Sequence, residues 1–291
     1  MKQNASMVVG PYVGEFGWEV ISWEPLVRGI FMQGRHEKCI VFGTPGRSLL
    51  YQFAEYREVE IPKYEEECLL WHDFNKDKQA ELKALGDSVM KGMQAELGPQ
   101  KQFAWFWYDR IQPLNDPHYM QGRPDLLVGD ADGTKEVGNR TKKDDRKRII
   151  LCVRDRGMSD YRNLEYADWY ELAEKLSKDN NVTVIGIVRE PDNWEMPDSV
   201  VDLTNKTTVN DCINLFCGHC DLAVGGNTGT IHLAARCGRP QLIWGNEKVV
   251  QRSAETSWMG ADYHVYKWGW EPKVDDIVEA TDYYFENGEW K

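Results

Sequence analysis

Short apolar runs alternate with stretches of helical apolar spacing through the first part of the chain. Apolar runs predict strands at Met7–Gly10 and Lys38–Phe42, with a helix over Glu19–Ile30 between them. A short helix over Arg47–Tyr56 and a third strand over Glu58–Ile61 follow. This order of strands and helices is typical of a doubly wound α/β domain built on a parallel sheet.

A long amphipathic segment and an aromatic run come next. Apolar residues near helical spacing predict a helix over Lys76–Leu97, which ends at Gly98 and Pro99. The aromatic run Phe103–Tyr108 then predicts a buried strand. The alternative interpretation of this run is an aromatic wall for the ring of an acceptor.

The alternation of strands and helices restarts at Arg148, after a polar segment rich in Gly, Lys and Asp. We therefore expect a first domain over residues 1–130, a linker over 131–147, a second domain over 148–273 and a terminal helix within 274–291. The predicted strands of the second half are Arg148–Val153, Val182–Val188, Val200–Leu203, Asp221–Gly225 and Gln241–Trp244, and the predicted helices are Asp168–Asp179, Thr208–Cys217, Ile231–Cys237 and Val274–Asn287.

Composition places the chain among ordinary globular proteins. It has 291 residues, of which 42% are hydrophobic and 28% charged, which is ample for two cores. There is no apolar run of about eighteen residues and no apolar leader, so we expect a cytoplasmic protein without a membrane span. The seven cysteines are odd in number and scattered, which favours reduced thiols.

Charge limits the possible partners. The formal net charge of −12 argues against broad affinity for nucleic acids. Lys135–Arg162 nevertheless holds ten Lys and Arg against five Asp and Glu, which suits an anionic ligand or, equally, a solvated surface. A zinc site at Cys212, Cys217, His219 and Cys220 is disfavoured, because the predicted helix and strand point these side chains in different directions.

A polar turn between the predicted strand Asp221–Gly225 and the helix Ile231–Cys237 is the strongest local sign of a ligand site. A helix start leaves backbone N–H groups unpaired, with the positive end of the helix dipole behind them. Such a turn either binds phosphate or is an ordinary helix cap with a packed histidine. Its candidate contacts are Asn227, Thr228, Gly229, Thr230 and His232.

Two segments in the second half carry a family resemblance. Asp202–Thr208 and Cys220–Ala235 resemble the signature D/N-L-x-G-K-T-S followed by D-L-x-V-S-x-D-T-G-x-x-H-L-A-A of heptosyltransferase-like glycosyltransferases. Asn205 stands where that family often has Gly, and Asn227 where it usually has Asp. The resemblance implies the GT-B fold, in which two Rossmann-like α/β domains face a central cleft and the last helix packs back on the first domain.

The resemblance also implies where an acceptor would be activated. In the family a Gly-Asp pair precedes the first helix, and Gly14-Glu15 matches it here. Glu15 is therefore the expected general base for the acceptor hydroxyl, with Glu19 as the second candidate. The alternative is that both carboxylates only stabilise a helix N-terminus.

The donor-binding candidates follow predicted strands of the second domain. Arginine suits a diphosphate because its fork binds two oxygens and is always charged. Glu190 follows another strand, where the resemblance implies a carboxylate that accepts from ribose hydroxyls; the alternative is a solvated loop carboxylate. The remaining donor-binding candidates are Arg154, Arg156, Arg162, Asn163, Thr204 and Asn246.

Together these observations predict a glycosyltransferase that uses a nucleoside-diphosphate sugar without a metal or other cofactor. Inversion at the sugar carbon is what the resemblance implies, with a glycan or lipid-linked sugar as acceptor. Three alternatives remain open: transfer to a hydroxymethylated DNA base, nucleotide-sugar epimerisation, and nucleotide binding without catalysis.

Overall fold

The computed structural model describes most of the chain. The described residues are 6–12, 16–34, 36–59, the backbone of 103–106, 126–141, 144–157, 159–250 and 262–290, with eight single positions between 84 and 97. The chain divides into two compact units, Met1–Gly122 and Arg123–Lys291. Each unit is described below by itself.

The first unit holds a parallel sheet of four strands in the order β3-β2-β1-β4. Val8 of β1 pairs with Ile40 of β2 on one side and with Trp105 of β4 on the other. The predicted strand at Phe103–Tyr108 is thus confirmed over its first four residues. The strands are β1 (Ser6–Val9), β2 (Cys39–Gly43), β3 (Glu55–Glu58) and β4 (Phe103–Phe106).

One helical segment follows β1. It comprises α1 (Phe16–Trp18), a π-helical stretch (Glu19–Trp23) and α2 (Glu24–Met32). Pro25 lies in the first turn of α2, directly after the π-helical stretch. The predicted helix Arg47–Tyr56 is shorter than expected, a 3₁₀ turn at Ser48–Tyr51, because β3 begins at Glu55 rather than at Glu58.

The second unit holds a parallel sheet of six strands in the order β10-β9-β8-β5-β6-β7. Its central strand β5 pairs with β6 and β8, and its residues Ile149 and Leu151 are fully buried. The strands are β5 (Arg148–Arg154), β6 (Asn181–Ile187), β7 (Val201–Asp202), β8 (Leu222–Gly226), β9 (Gln241–Trp244) and β10 (Tyr263–Tyr266). The edge strand β10 was not predicted from sequence.

Helices pack on this sheet. They are α3 (Ala131–Gly138), α4 (Tyr166–Leu176), α5 (Val209–His219), α6 (Gly229–Arg236) and α7 (Val274–Asn287). Among the described residues, no helix is both long enough and apolar enough to cross a bilayer.

The expected linker at 131–147 is corrected by the structure, because it begins with helix α3. The Asp130 carboxylate caps this helix by accepting from the Gly133 amide at 3.2 Å, and the Asp130 amide donates to Asn214 of α5 at 2.8 Å. Val137 is buried. The division between the two units falls between Gly122 and Arg123 rather than after residue 130.

The terminal helix α7 has the predicted bounds. Val274, Ile277 and Ala280 recur at helical spacing and belong to the buried core of the second unit. Lys175 of α4 pairs with Asp275 at 2.6 Å. The helix therefore packs in the core of its own unit, and a contact of its other face with the first domain stays a prediction.

A left-handed residue fixes the loop after β6. Asn205 has φ 56°, a conformation that few residues other than glycine adopt. Its side-chain oxygen accepts from the Val188 amide at 3.0 Å, and its side-chain nitrogen donates to the Val188 carbonyl at 2.9 Å. These bonds explain how asparagine serves at a position where the resembling family often has glycine.

Replacing Asn205 should separate the contribution of its side-chain hydrogen bonds from the cost of its left-handed backbone. Asn205→Ala loses both bonds and keeps the left-handed backbone, so we expect a loss of roughly 2–3 kcal/mol in the free energy of unfolding. Asn205→Gly loses the bonds but relieves the backbone, so its loss should be smaller by about 1 kcal/mol. Urea denaturation of both variants measures the difference, and equal losses would contradict this account.

Candidate functional site

The loops at the carboxyl edge of the second unit's sheet carry most of the predicted site residues. Parallel strands end at the same edge, which is where open α/β sheets bind ligands. Arg154, Arg156, Arg162 and Asn163 follow or end β5, Glu190 follows β6, Asn227–Thr230 follow β8, and Asn246 follows β9. The structure therefore brings these strand ends together, as the sequence predicted.

Helix α6 begins at a threonine cap. Thr228 has extended backbone angles, and its hydroxyl oxygen accepts from the Ile231 amide at 3.5 Å. A hydroxyl that accepts one bond keeps its own proton to donate. Gly229 and Thr230 form the first turn, whose amides cannot reach a carbonyl within the helix. The threonine cap and the N–H groups without a partner inside the helix together give the start of α6 a positive electrostatic potential.

Glycines bring this turn close to its neighbouring strands. A side chain on Gly225 would meet the Cys152 carbonyl oxygen of β5 at 2.9 Å, and one on Gly226 would meet the Trp244 indole of β9 at 3.2 Å. The absence of side chains at the end of β8 thus lets the backbone that leads into α6 lie close to both flanking strands.

Asn227 lies under the helix start and is 4% exposed. Its amide donates to the Trp244 carbonyl at 3.3 Å. Its side-chain oxygen is buried and accepts no hydrogen bond from the described part of the chain. A buried acceptor of this kind calls for a donor from a ligand or from water. His232, one turn on, is also buried, and its amide donates to the Thr228 carbonyl at 3.2 Å.

Arg162 places a positive charge beside this turn. Its guanidinium donates to the Asn227 backbone carbonyl and lies 4.8 Å from the centre of the Trp270 ring. The arginine comes from the loop after β5, and the carbonyl comes from the loop after β8. A fixed cation therefore lies next to the exposed amides of α6.

The other residues of the β5 loop bind mainly to one another. Arg154 is 9% exposed and donates to Asn163 and to the Ser159 carbonyl. The Asn163 side-chain nitrogen donates to the Arg156 carbonyl at 2.9 Å. Arg154 and Asn163 thus tie the loop together, and a ligand contact by any of these three residues stays a prediction.

An ion pair joins the loops after β5 and β6. Two guanidinium nitrogens of Arg189 donate to one Asp155 carboxylate oxygen at 3.0 and 2.7 Å, and the Arg189 amide donates to the other oxygen at 3.2 Å. Partial burial tends to raise the pKa of Asp155, but the bonds from Arg189 outweigh it and hold that pKa below its ordinary value. This pair was not predicted from sequence, although both residues lie within two positions of the end of a predicted strand.

Three of the predicted donor contacts have local partners instead. Glu190 is exposed and accepts from the Asn193 side chain at 2.9 Å. Thr204 is buried, and its hydroxyl donates to Asp202 at 2.7 Å. The Asn246 side-chain oxygen accepts from the Val249 amide at 3.3 Å and caps the helical turn at 247–250. Each side chain thus has a local partner, and a ligand contact by any of the three stays a prediction.

The candidate bases belong to the first unit. Glu15 lies outside the described residues. Glu19 is 2% exposed in the π-helical stretch, where it accepts from the Tyr51 hydroxyl at 2.9 Å and from the Arg47 guanidinium. Burial raises the pKa of Glu19, and the Arg47 charge offsets part of that rise. The catalytic assignments of both residues stay predictions.

Acidic and metal-ligating side chains form no metal centre where the structure describes them. In the ranges given above, no cluster of three or more His, Cys, Asp or Glu side chains could hold a metal ion. The chain contains one Asp-x-Asp sequence, at Asp130–Asp132. Asp130 caps α3, and Asp132 pairs with Lys135 at 3.3 Å. Both carboxylates therefore serve the start of a helix.

The Asp155–Arg189 pair makes a prediction about pH. A carboxylate with a lowered pKa contributes stability above its ordinary pKa of about 3.9 and loses it as the pH falls further. Asp155→Asn should cost about 0.5–1 kcal/mol at pH 7 because the pair is partly exposed, and the difference from the unaltered protein should shrink between about pH 4 and pH 2. Urea denaturation across this range measures it. Asp192→Asn, in the exposed turn after β6, is the control. If the difference in the free energy of unfolding between Asp155→Asn and the unaltered protein did not vary with pH, the lowered pKa of Asp155 would be contradicted.

Similarity to known proteins is found in structure rather than in sequence. No protein-family model matches the chain, and no curated protein matches it in sequence. A glycosyl transferase family 9 protein from Veillonella parvula is similar in structure, with a TM-score of 0.62, 10% identity and coverage of 97% of this chain and 98% of that one.

Two Escherichia coli structures are similar as well. ADP-heptose lps heptosyltransferase II has a TM-score of 0.62 at 15% identity and covers 98% of this chain and 99% of its own. The heptosyltransferase WaaC with ADP has a TM-score of 0.54 at 12% identity, covering 95% and 99%. Likeness at such identities establishes architecture, and the chain has the α/β fold, with two parallel-sheet units, of the GT-B glycosyltransferases.

Proposed function

We propose that the chain is a glycosyltransferase that moves a sugar from a nucleoside-diphosphate sugar to an acceptor hydroxyl. The observation that carries the proposal is the start of α6, where exposed amides and the Thr228 cap lie beside the Arg162 guanidinium. This arrangement lies at the carboxyl edge of a parallel sheet, the usual ligand side of such a sheet.

The electrostatics of this edge suit a diphosphate leaving group. A helix N-terminus contributes roughly half a positive charge, and Arg162 adds a full one with several in-plane donors. Thr228 and Thr230 add hydroxyls, and Asn227 brings no negative charge to the turn. As the bond to the sugar breaks, negative charge grows on the diphosphate, and donors fixed in advance stabilise that charge.

The similar structures support the same class of donor. Heptosyltransferase II is an ADP-heptose enzyme, and the WaaC structure contains ADP. We carry over to this chain only a nucleoside diphosphate joined to a sugar. In the proposal the acceptor is a glycan or lipid-linked sugar, transfer inverts the sugar carbon, and no metal or other cofactor takes part. Those finer points rest on the sequence resemblance.

A hydroxymethylated DNA base is the weaker acceptor hypothesis. It depended on the basic segment Lys135–Arg162. Arg146 of that segment pairs with Asp144 at 2.9 Å, and Arg148 pairs with Asp221 at 2.6 Å. Because these charges are neutralised locally on a chain of net charge −12, the segment offers little attraction to a phosphate backbone.

Nucleotide binding is tested by a thermal-shift screen with ADP, GDP, UDP and CDP, each beside its nucleoside. One diphosphate should raise the melting temperature, since a ligand at a hundred times its Kd adds about 2.7 kcal/mol. Arg162→Ala should weaken its binding about 10- to 100-fold, the usual loss for a charge-assisted bond. Arg146→Ala, before the amino end of β5, should leave binding unchanged.

Other results of this screen would count against the proposal. A shift with none of the four diphosphates would contradict it, as would equal shifts with the nucleoside and its diphosphate. Equal effects of Arg162→Ala and Arg146→Ala would mean that the nucleotide binds elsewhere.

The role of Glu15 is tested by kinetics. With a sugar-linked form of the diphosphate that the screen selects, slow transfer to water releases free sugar and nucleoside diphosphate. Glu15→Gln should lower kcat by about 10²- to 10⁴-fold, the usual contribution of a general base, and should leave the donor Kd within about twofold. Glu37→Gln, exposed before β2 in the same unit, is the control. An unchanged kcat for Glu15→Gln would remove Glu15 as the base.

A further inference from the structure

The Arg162 guanidinium, beside the candidate site, lies over the ring of Trp270. The guanidinium carbon is 4.8 Å from the centre of the Trp270 ring, and the neighbouring Tyr161 ring meets that indole edge-on at 6.3 Å. A cation at this distance over an indole is attracted by the negative face of the ring. Trp270 comes from the turn after β10, whereas Tyr161 and Arg162 come from the loop after β5.

The contacts of Trp270 differ from those of the nearby tryptophans. Trp268 and Trp290 pack against the buried core cluster of the second unit, and Trp268 stacks on Tyr266 with ring centres 3.9 Å apart. Among the described residues, the Trp270 ring contacts Tyr161 and Arg162 of the β5 loop. Trp270 thus packs against the loop that carries the candidate site.

The turn that carries Trp270 is fixed at its base. Gly269 has φ 76°, which glycine adopts at little cost and which turns the chain sharply between Trp268 and Trp270. Because Trp268 packs on the core, the backbone next to Trp270 is held in place, and so is the position of its indole.

We propose that Trp270 is a positioning residue for the diphosphate, which holds the Arg162 cation at the start of α6 before a ligand arrives. This inference rests on the function proposed above. The guanidinium carbon of Arg162 lies over the indole ring, and the Asn227 carbonyl accepts from one guanidinium nitrogen. Together these two contacts orient the guanidinium at the start of α6.

The energetic benefit is preorganisation. An arginine side chain has many rotamers, and a ligand would otherwise have to restrict them on binding. Because Trp270 and Asn227 already hold the guanidinium, the rotamer entropy of Arg162 is lost on folding rather than on ligand binding. Affinity for any ligand that carries a diphosphate should therefore depend on the aromatic ring at position 270.

The experiment compares Trp270→Ala and Trp270→Phe by titration calorimetry with ADP, GDP, UDP, CDP and inorganic pyrophosphate. For each probe that the unaltered protein binds, Trp270→Ala should raise Kd about 3- to 30-fold, the range of cation–π effects. Trp270→Phe, which keeps an aromatic face, should recover most of that loss. Affinity for the matching uncharged nucleoside should stay within about twofold in both variants.

A double-mutant cycle distinguishes positioning from general damage. In the Arg162→Ala background, Trp270→Ala should have no further effect on Kd, because the cation that it orients is gone. Trp268→Phe, at the core-packed tryptophan two residues away, is the matched control and should leave Kd unchanged. Urea denaturation of every variant reports stability separately from binding.

The outcomes separate this inference from the proposed function. If the unaltered protein binds none of the four nucleoside diphosphates and no pyrophosphate, both fail. If it binds one of them and Trp270→Ala binds as tightly, or loses affinity equally with and without Arg162, the positioning role alone is overturned and the nucleotide site stands.

Discussion

Parallel pairing of β5 with β6 and β8 is the constraint on which the rest of the second unit depends. It forces the loops after these strands to one edge of the sheet. Two glycines at the end of β8 then let the backbone that leads into the next helix lie close to β5 and β9. A helix start, a cation and several loop ends meet there because the strands share a direction, although they are far apart in sequence.

The polar groups at this edge fall into two sets. Arg154 and Asn163 bond within their own loop, and Asp155 and Arg189 join that loop to the next. The other set, Arg162 with the start of α6, gathers positive charge and N–H donors at one place. The first set supplies the rigidity that lets the second keep its geometry, which is the arrangement expected of a binding site.

Sequence signals were sufficient where local chemistry decides the structure. Strand β9 and helix α7 have the predicted bounds, because proline, glycine and apolar spacing mark them. Helix α3 was mistaken for a linker, because its polar composition hides the one apolar side chain that it buries, Val137. The apolar stripe of α7 belongs to the core of the second unit, and its packing on the first domain, which rests on the family resemblance, stays a prediction. The contact between Arg162 and Trp270 joins two distant loops, so no local pattern could predict it.

The buried side-chain oxygen of Asn227 has a consequence for selectivity. No described residue donates to this oxygen, and a buried acceptor without a donor costs about 1–3 kcal/mol. In the proposed nucleotide site, a molecule that presents a hydrogen here would recover that energy, whereas one that presents a lone pair or a methyl group would not. An aspartate at the same position would add a negative charge to the turn, whereas the amide of Asn227 adds none.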